Sequence, residues 1–526
     1  MTRRRKKRGQ LISRGKRGKK NILASNTSPF NVHTALSAAV RYRQEGRLDR
    51  AEAICKEILA TSPNQADALN LLGLIACQVG KSDVAVDLIG KAIQTSPQNA
   101  IYYNSMGNVL TGQGKPDEAI ACYHKALEIN PNLVEAHYNM GNVFEAQGQL
   151  DEAIACYQKA LQIAPNIAQP YNNMANALKA QGNLGQAIAC YRKALEINPN
   201  LVEAHYNMGN VFEAQGQLDE AITYYRKALE IKPDYVEAHC GIGNVFENQG
   251  KLDDAIGSYR KVLEIVPNHA GAYCGMGNAL KYQGKLAEAA ACFEQAVELD
   301  PENASAKHHL AAVTGRTTEA PPQEYVRKVF DHYSTKFERH VVETLHYRIP
   351  TLLRHSFHTI VKEDLHFKNV IDLGCGTGLA GIEFRLNADR LSGVDISPKI
   401  VEEAKKKRVY DILVVADIIE FLNDTDEKYD LFIATDVFIY RGNLKGIFES
   451  VQNRSLSGAY FLFSTESCAE NDYILRPTGR YAHSRTYIES LAKEYGFVVE
   501  LCQSAGVRKE HGQWIMGHIY ILKLGA

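Results

Sequence analysis

Two hydrophobic patterns divide this 526-residue chain. Over residues 32–303, apolar side chains recur at helical spacing in paired segments of about a dozen residues, which predicts pairs of amphipathic helices. From residue 370 onward, short apolar runs alternate with helix-like or loop segments, which predicts an open, mostly parallel α/β sheet. The predicted strands are VIDL, LSGVD, ILVVA, DLFIAT, AYFLFS, FVVELCQ and HIYILKL, and the last two are close enough to form a hairpin with one antiparallel strand.

The helical part is a repeat with a period of 34 residues. A proline ends each unit, and a glycine separates its two helices because glycine ends a helix without a side-chain penalty. One helix pair cannot bury its apolar face alone, so we expect neighbouring pairs to stack. The prolines are Pro63, Pro97, Pro131, Pro165, Pro199, Pro233, Pro267 and Pro301, and the turn glycines are Gly46, Gly80, Gly114, Gly148, Gly182, Gly216, Gly250 and Gly284.

The period and the residue phases resemble the tetratricopeptide repeat, with eight units over residues 32–303. The resemblance implies an α-solenoid, a tetratricopeptide superhelix whose concave face carries an asparagine from most first helices. An amide both donates and accepts hydrogen bonds, so this ladder could hold an extended peptide backbone. Alternatively, these asparagines solvate a helix face and bind nothing. The ladder consists of Asn108, Asn142, Asn176, Asn210, Asn244 and Asn278.

The stretch NVIDLGCGTGLAG, residues 369–381, carries the chemistry of the second part. It predicts a strand followed by glycines that open a helix, and ligands of such sheets lie at the carboxyl ends of the strands. A phosphate-binding loop would need Gly-Lys-Ser/Thr here, whereas Leu379 and Ala380 follow the glycines. The spacing is G-x-G-x-G and not the dinucleotide pattern G-x-G-x-x-G, so an NAD-linked oxidoreductase is the weaker alternative.

An acidic residue stands at the end of each of the first four predicted strands. Asp395 is placed to accept from both hydroxyls of a ribose, and Asp417 from an adenine amine. This set suits S-adenosylmethionine, which carries an ammonium and a sulfonium and no phosphate. The predicted cofactor-binding residues are Asp372, Gly374, Cys375, Gly376, Gly378, Asp395, Ile396, Ala416, Asp417 and Ile418.

Residues 323–526 resemble a class I, Rossmann-like methyltransferase with a seven-stranded sheet. Residues 32–526 as a whole are similar to the methyltransferases, mostly named from sequence, that carry an N-terminal tetratricopeptide array. Their resemblance rests on VFDHYSTKFERHVVETLHYRIP ahead of the glycine loop and on GRYAHS, residues 479–484. The resemblance implies an S-adenosylmethionine-dependent methyltransferase, and it does not name the acceptor.

The candidate catalytic residues are His483, as a general base, with Tyr481 beside it, and Asp436, near the place where donor and acceptor should meet. Arg480 could hold an anionic substrate. Tyr333 and Phe337 could cover the cofactor, although their helical spacing also suits plain packing. No cluster of histidine, cysteine and acidic residues has metal-ligand spacing.

Length, charge and cysteine usage complete the sequence-based interpretation. A chain this long exceeds the ~250–300 residues of a single core, and we divide it into a basic disordered tail (1–31), the repeats (32–303), a linker (304–322) and the α/β domain (323–526). Residues 1–20 hold 11 of the 60 Lys and Arg and no acid, so this tail could contact nucleic acid, anionic lipid or an acidic protein. The cysteines form no CxxC pair and no apolar run is long enough to span a membrane, which favours a cytoplasmic protein.

The working hypothesis is a methyltransferase whose array binds or recruits a protein or peptide, either as the methyl acceptor or to localise an enzyme that acts on a small molecule. The alternative is a scaffold that binds the cofactor and is catalytically silent. Transfer of a labelled methyl group discriminates between the two.

Overall fold

The structure, a computed structural model, describes residues 31–333, 345–361, 366–469, 472–510 and 513–525. The predicted basic tail, apart from Asn31, lies outside these residues, and so do Phe337 and the side chain of Tyr333. The chain forms two compact units, Met1–Asn207 and Met208–Ala526.

Consecutive helices in pairs fill the first part, as the 34-residue period predicts. The turn glycine of every pair has a positive φ, between 71° and 81°, which confirms the reason for glycine at this position. The helices are α1 (Val32–Gln44), α2 (Leu48–Thr61), α3 (Ala66–Gln78), α4 (Ser82–Thr95), α5 (Ala100–Gly112), α6 (Pro116–Ile129), α7 (Val134–Ala146), α8 (Leu150–Ile163), α9 (Ala168–Ala180), α10 (Leu184–Ile197), α11 (Val202–Ala214), α12 (Leu218–Ile231), α13 (Val236–Asn248), α14 (Leu252–Ile265), α15 (Ala270–Tyr282), α16 (Leu286–Leu299) and α17 (Ala304–Val313).

The small residue of each first helix allows the second helix to approach closely. A Cβ added at Gly107 would lie 2.5 Å from the ring of Tyr123, and one at Gly277 would lie 2.9 Å from the ring of Phe293. Both distances are shorter than a non-bonded carbon contact permits, so a larger residue would force the paired helices apart.

Helix α17 lies in the segment that the sequence predicts as a linker. Asn303 caps it by accepting from the backbone N–H of Ala306 at 2.9 Å. Leu310 and Val313 pack into the same apolar cluster as Phe293 of α16. The residues expected to be a linker therefore begin with a helix that covers the apolar face of the eighth unit.

The α/β domain contains further helices and a sheet of nine strands. Its helices are α18 (Gln323–Tyr333), α19 (Ile349–Val361), α20 (Leu379–Phe384), α21 (Pro398–Lys407), α22 (Ile418–Asp424), α23 (Lys445–Arg454) and α24 (Arg485–Glu494). Its strands are β1 (Phe367–Leu373), β2 (Ala388–Asp395), β3 (Ile412–Val415), β4 (Tyr429–Ala434), β5 (Ser455–Ser467), β6 (Tyr473–Leu475), β7 (Tyr481–His483), β8 (Phe497–Glu510) and β9 (Gln513–Leu524).

The strand order confirms a mostly parallel sheet and corrects the number of strands. Strands β3, β2, β1, β4 and β5 are parallel in that order, β9 is antiparallel to β5, and β8 is antiparallel to β9. The expectation of seven strands is wrong because β7 also pairs with the end of β5, and β6 pairs with β7. Each of these two strands has three residues, too few to show an alternating pattern.

Apolar side chains cover both faces of this sheet. One cluster joins Phe432, Phe461 and Phe463 to α23 and α24, and another joins Val370 and Ile433 to α19 and α20. Such a doubly covered sheet brings the carboxyl ends of β1 to β4 to a single edge. Among the described helices, none combines the length and the apolar character that crossing a membrane requires.

Candidate functional site

A cavity of about 920 Å³ lies at the carboxyl edge of the sheet in the second unit. This volume is near the upper end of the ~300–1,000 Å³ that small-molecule sites occupy. Of the ten predicted cofactor residues, Asp372 and Gly378 are not in its lining. The other eight line it: Gly374, Cys375, Gly376, Asp395, Ile396, Ala416, Asp417 and Ile418.

The glycine loop is fixed to the end of β2 through its backbone. The N–H groups of Gly374 and Cys375 donate to the carbonyl of Val394 at 2.8 and 3.0 Å. Gly374 has φ +72°, and a Cβ there would lie 2.6 Å from Val437. Any larger residue at this position would therefore be strained and would also clash.

Asp395 holds the same loop through its side chain. Its Oδ2 accepts from the N–H of Gly376 at 3.0 Å, and its Oδ1 accepts from the N–H of Ser397 at 2.9 Å. Burial raises the pKa of this carboxyl group, and the backbone N–H donors act in the opposite direction. Because each carboxylate oxygen can accept two hydrogen bonds, both oxygens can still accept from a ribose.

Of the other three strand-end acids, Asp417 and Asp372 have partners that the sequence does not predict. Asp417 caps α22 and also accepts from Arg441 at 3.0 Å, so an adenine amine would share this carboxylate with a guanidinium. Asp372 is fully buried and accepts from the hydroxyl of Tyr410 at 2.6 Å. Burial raises the pKa of Asp372 to about 7, and this residue does not line the cavity.

Asp436 lines the cavity and belongs to a buried ionic network. Its φ is +59°, and its two carboxylate oxygens lie 3.0 and 3.1 Å from Nη1 of Arg508. Arg508 also donates to Glu466, which accepts from Arg476 at 3.0 Å. A carboxylate held in this way is a well-oriented hydrogen-bond acceptor. Sequence reasoning missed Arg508, which is followed by the charged residues Lys509 and Glu510 at the end of β8 and therefore carries no distinctive local signal.

The structure does not favour His483 as the base. This residue is fully buried and absent from the cavity lining, and its Nε2 donates to the carbonyls of Arg441 and Gly442 at 2.9 and 3.0 Å. Burial lowers the pKa of His483 to about 4. Tyr481 is also buried outside the lining, and its hydroxyl lies 2.5 Å from that of Thr318. In the segment GRYAHS, only Arg480 lines the cavity.

We expect replacement of His483 by glutamine to reduce the acid sensitivity of this domain. The pKa of His483 is about 4 in the folded state and about 6.5 in the unfolded state, so at acid pH the unfolded state binds a proton that the folded state does not. The contribution of His483 to stability is therefore complete only above about pH 6.5 and is lost as the pH falls. Between pH 7 and pH 5 the parent should lose about 2 kcal/mol of unfolding free energy more than the variant. Urea unfolding followed by fluorescence of Trp514, the one Trp of the chain, measures this difference. Equal losses of unfolding free energy in the parent and the variant would contradict the lowered pKa of His483.

The helices that follow the seventh repeat contribute another part of the cavity lining. Asn278, Lys281 and Tyr282 of α15 line it, together with Ser305 and His309 at α17. Only the last member of the predicted asparagine ladder is therefore at the cavity. In the five earlier members the side-chain oxygen accepts from a tyrosine hydroxyl of the same unit: Asn108 from Tyr123, Asn142 from Tyr157, Asn176 from Tyr191, Asn210 from Tyr225 and Asn244 from Tyr259.

Family models match both parts of the chain. Residues 366–506 match a model described as a methyltransferase domain. Models described as TPR or tetratricopeptide repeats match 36–100, 107–148, 134–167, 156–189, 175–216, 209–250, 236–269 and 270–303. The chain is a fusion of tetratricopeptide repeats with a methyltransferase domain.

Among curated proteins, the malonyl-[acyl-carrier protein] O-methyltransferase of Hamiltonella defensa subsp. Acyrthosiphon pisum (strain 5AT) is 33% identical over 96 residues. This match covers 18% of the fusion chain and 37% of that enzyme. Among solved structures, MamA is 29% identical, with 30% of this chain and 94% of MamA covered and a TM-score of 0.29. The Cut9–Hcn1 tetramer is 17% identical, with 53% and 55% covered and a TM-score of 0.42.

Proposed function

We propose that the chain is an S-adenosylmethionine-dependent methyltransferase that acts on an acceptor carried by a protein or peptide. The observation that carries this proposal is that one cavity is lined both by the predicted cofactor residues and by helices α15 and α17 of the array. A segment held by the last repeats would therefore enter the cavity that holds the methyl donor.

The residues present fit this cofactor. The lining at the glycine loop offers bare backbone and the carboxylates of Asp395 and Asp417, and the loop residues 374–378 lack the lysine of a phosphate-binding loop. When bound, S-adenosylmethionine would supply an electrophilic methyl group on a sulfonium. Asp395 would hold the ribose, and Ala416 and Ile418 would flank the adenine.

The protein's own contribution to methyl transfer is alignment and exclusion of water. Holding donor and acceptor in line can supply ~7–11 kcal/mol in favourable cases. Asp436, at the end of β4, would orient a donor group of the acceptor, since Arg508 keeps its carboxylate in one position. With His483 outside the lining, an acceptor that reacts without losing a proton to His483 fits this cavity better than one that needs that residue as a base.

A protein-borne acceptor is also consistent with the curated relative, whose name describes transfer to a malonyl group on a carrier protein. A catalytically silent scaffold is less favoured, because eight of the ten predicted cofactor residues line the cavity. The basic tail remains a proposed contact for an anionic partner.

Incubation of the full chain with methyl-labelled donor and a cell extract tests the proposal. We expect label in discrete protein bands, and we expect none with Asp395→Ala. Label only in small molecules would overturn the protein-borne acceptor. Cofactor binding without any transfer would favour the scaffold.

A further inference from the structure

The eighth repeat departs from the others at the place where it borders the cavity. The tyrosine that occupies the second helix of five earlier units is Phe293 here, and it has no hydroxyl to donate. As a result, the side-chain oxygen of Asn278 is buried and has no hydrogen-bond partner in the described part of the chain. Buried acceptors are nearly always satisfied, so this oxygen is suited to a donor from a ligand.

Lys281 follows Asn278 by three residues on the same helix face and also lines the cavity. It is only 8% exposed, and its Nζ lies 3.4 Å from Nδ1 of His309. Burial holds the pKa of His309 well below its ordinary value, so this neighbour is a neutral imidazole. Within the described residues, no carboxylate lies at ion-pair distance from Lys281, although Glu247 attracts it from farther away while accepting from Tyr259 at 3.2 Å. An anion in the cavity would therefore stabilise this buried ammonium, whose described neighbours are a neutral imidazole and the ring of Tyr282, 4.9 Å away.

Arg480 of the methyltransferase domain lines the same cavity, and its charge acts on Lys281. Two cations therefore face the array side of the cavity beside one orphan acceptor. The acceptor decides the kind of anion, because the oxygen of Asn278 would repel the oxygens of a phosphate. It suits a ligand that presents an N–H next to its negative charge, which an acidic residue of a peptide does.

We propose that Asn278 and Lys281 form a subsite for an acidic residue of the acceptor peptide, in the part of the cavity that Arg480 also lines, with the carboxylate on Lys281 and a backbone N–H on Asn278. This inference rests on the proposed function and adds a specificity determinant to it. The subsite would fix the register of the peptide, so that a nearby side chain reaches the methyl donor.

Fluorescein-labelled octapeptides of alternating Glu and Ser, or Gln and Ser, test the subsite by anisotropy with the full chain. We expect the Glu peptide to bind about tenfold or more tightly than the Gln peptide, and Lys281→Met to abolish the difference. Lys179→Met is the matched control, since Lys179 stands three units earlier at the same repeat phase and is not in the lining. Equal binding of the two peptides, or equal effects of the two lysine variants, would overturn the subsite.

Phe293→Tyr provides an independent test that adds a single oxygen. The hydroxyl should donate to Asn278, as the tyrosines of the five earlier units donate to their asparagines at 2.6–2.9 Å. We therefore expect the variant to fold normally but to bind the Glu peptide about tenfold more weakly than the parent does. An unchanged affinity would contradict the role of Asn278. Tighter binding of a single-stranded oligonucleotide, with the same dependence on Lys281, would overturn the peptide as the ligand.

Calorimetry with S-adenosylmethionine separates this inference from the proposed function. We expect Lys281→Met and Phe293→Tyr to bind the cofactor like the parent. If neither the parent nor the variants bind the cofactor, but binding of the Glu peptide still depends on Lys281, the proposed function fails and the subsite stands.

Discussion

Replacing Arg508 by methionine is expected to destabilise the methyltransferase domain by about 3 kcal/mol or more. Arg508 is 2% exposed and contacts two carboxylates, Asp436 and Glu466. Methionine fills much of the same volume, so the main loss is electrostatic: Glu466, also 2% exposed, would keep only Arg476 as a cationic partner. Fluorescence of Trp514 reports on the same β8–β9 hairpin and measures the unfolding free energy of this domain in the full chain.

Two variants separate this charge effect from a packing effect. Adding Glu466→Gln to Arg508→Met removes the uncompensated charge and should restore a substantial part of the stability. Arg476→Met removes the other cation of Glu466, but its side chain is 29% exposed, so we expect a loss of about 1 kcal/mol or less. If Arg508→Met costs no more than Arg476→Met, the network contributes little to stability.

The sequence predicts those features of this fold that recur or are local. Pro97 and Gly114 recur at the same position in the other repeats, and this recurrence predicts where the helices and their turns lie. It does so because both residues act through their own backbone conformation. The loop from Gly374 to Gly378 and the acid Asp395 are likewise predicted, since strand ends in a parallel sheet converge on one edge.

What the sequence does not predict depends on distant contacts. Asp436 and Arg508 are 72 residues apart, and no periodicity joins them. His483 lies in a segment that resembles a family signature, yet the strand β7 turns it towards the carbonyl of Gly442 and away from the cavity. Lys281 is missed for another reason: the other units carry different kinds of residue at this position, such as Thr111 and Glu145, and only the place of Lys281 at the end of the array brings it to the cavity.

Asp395→Ala is expected to weaken binding of S-adenosylmethionine about 100-fold. The ribose would lose the carboxylate that accepts its hydrogen bonds, and the N–H groups of Gly376 and Ser397 would lose the same acceptor. The glycine loop would then be held only by its bonds to Val394. Calorimetric titration of the full chain with the cofactor and with its demethylated product measures the loss, and both ligands should lose affinity equally because they share the ribose.

A graded series makes this prediction specific. Asp395→Asn keeps one carbonyl acceptor and should weaken binding about tenfold, between the parent and the alanine variant. Asp411→Asn is the matched control: Asp411 accepts from the N–H of Leu391, in the middle of β2, and from Arg385, and it lies outside the cavity lining. It should leave cofactor affinity unchanged. A parent that binds neither ligand, or an Asp395→Ala variant that binds like Asp411→Asn, would remove Asp395 from the cofactor site and leave the acidic strand ends without the ligand that their arrangement implies.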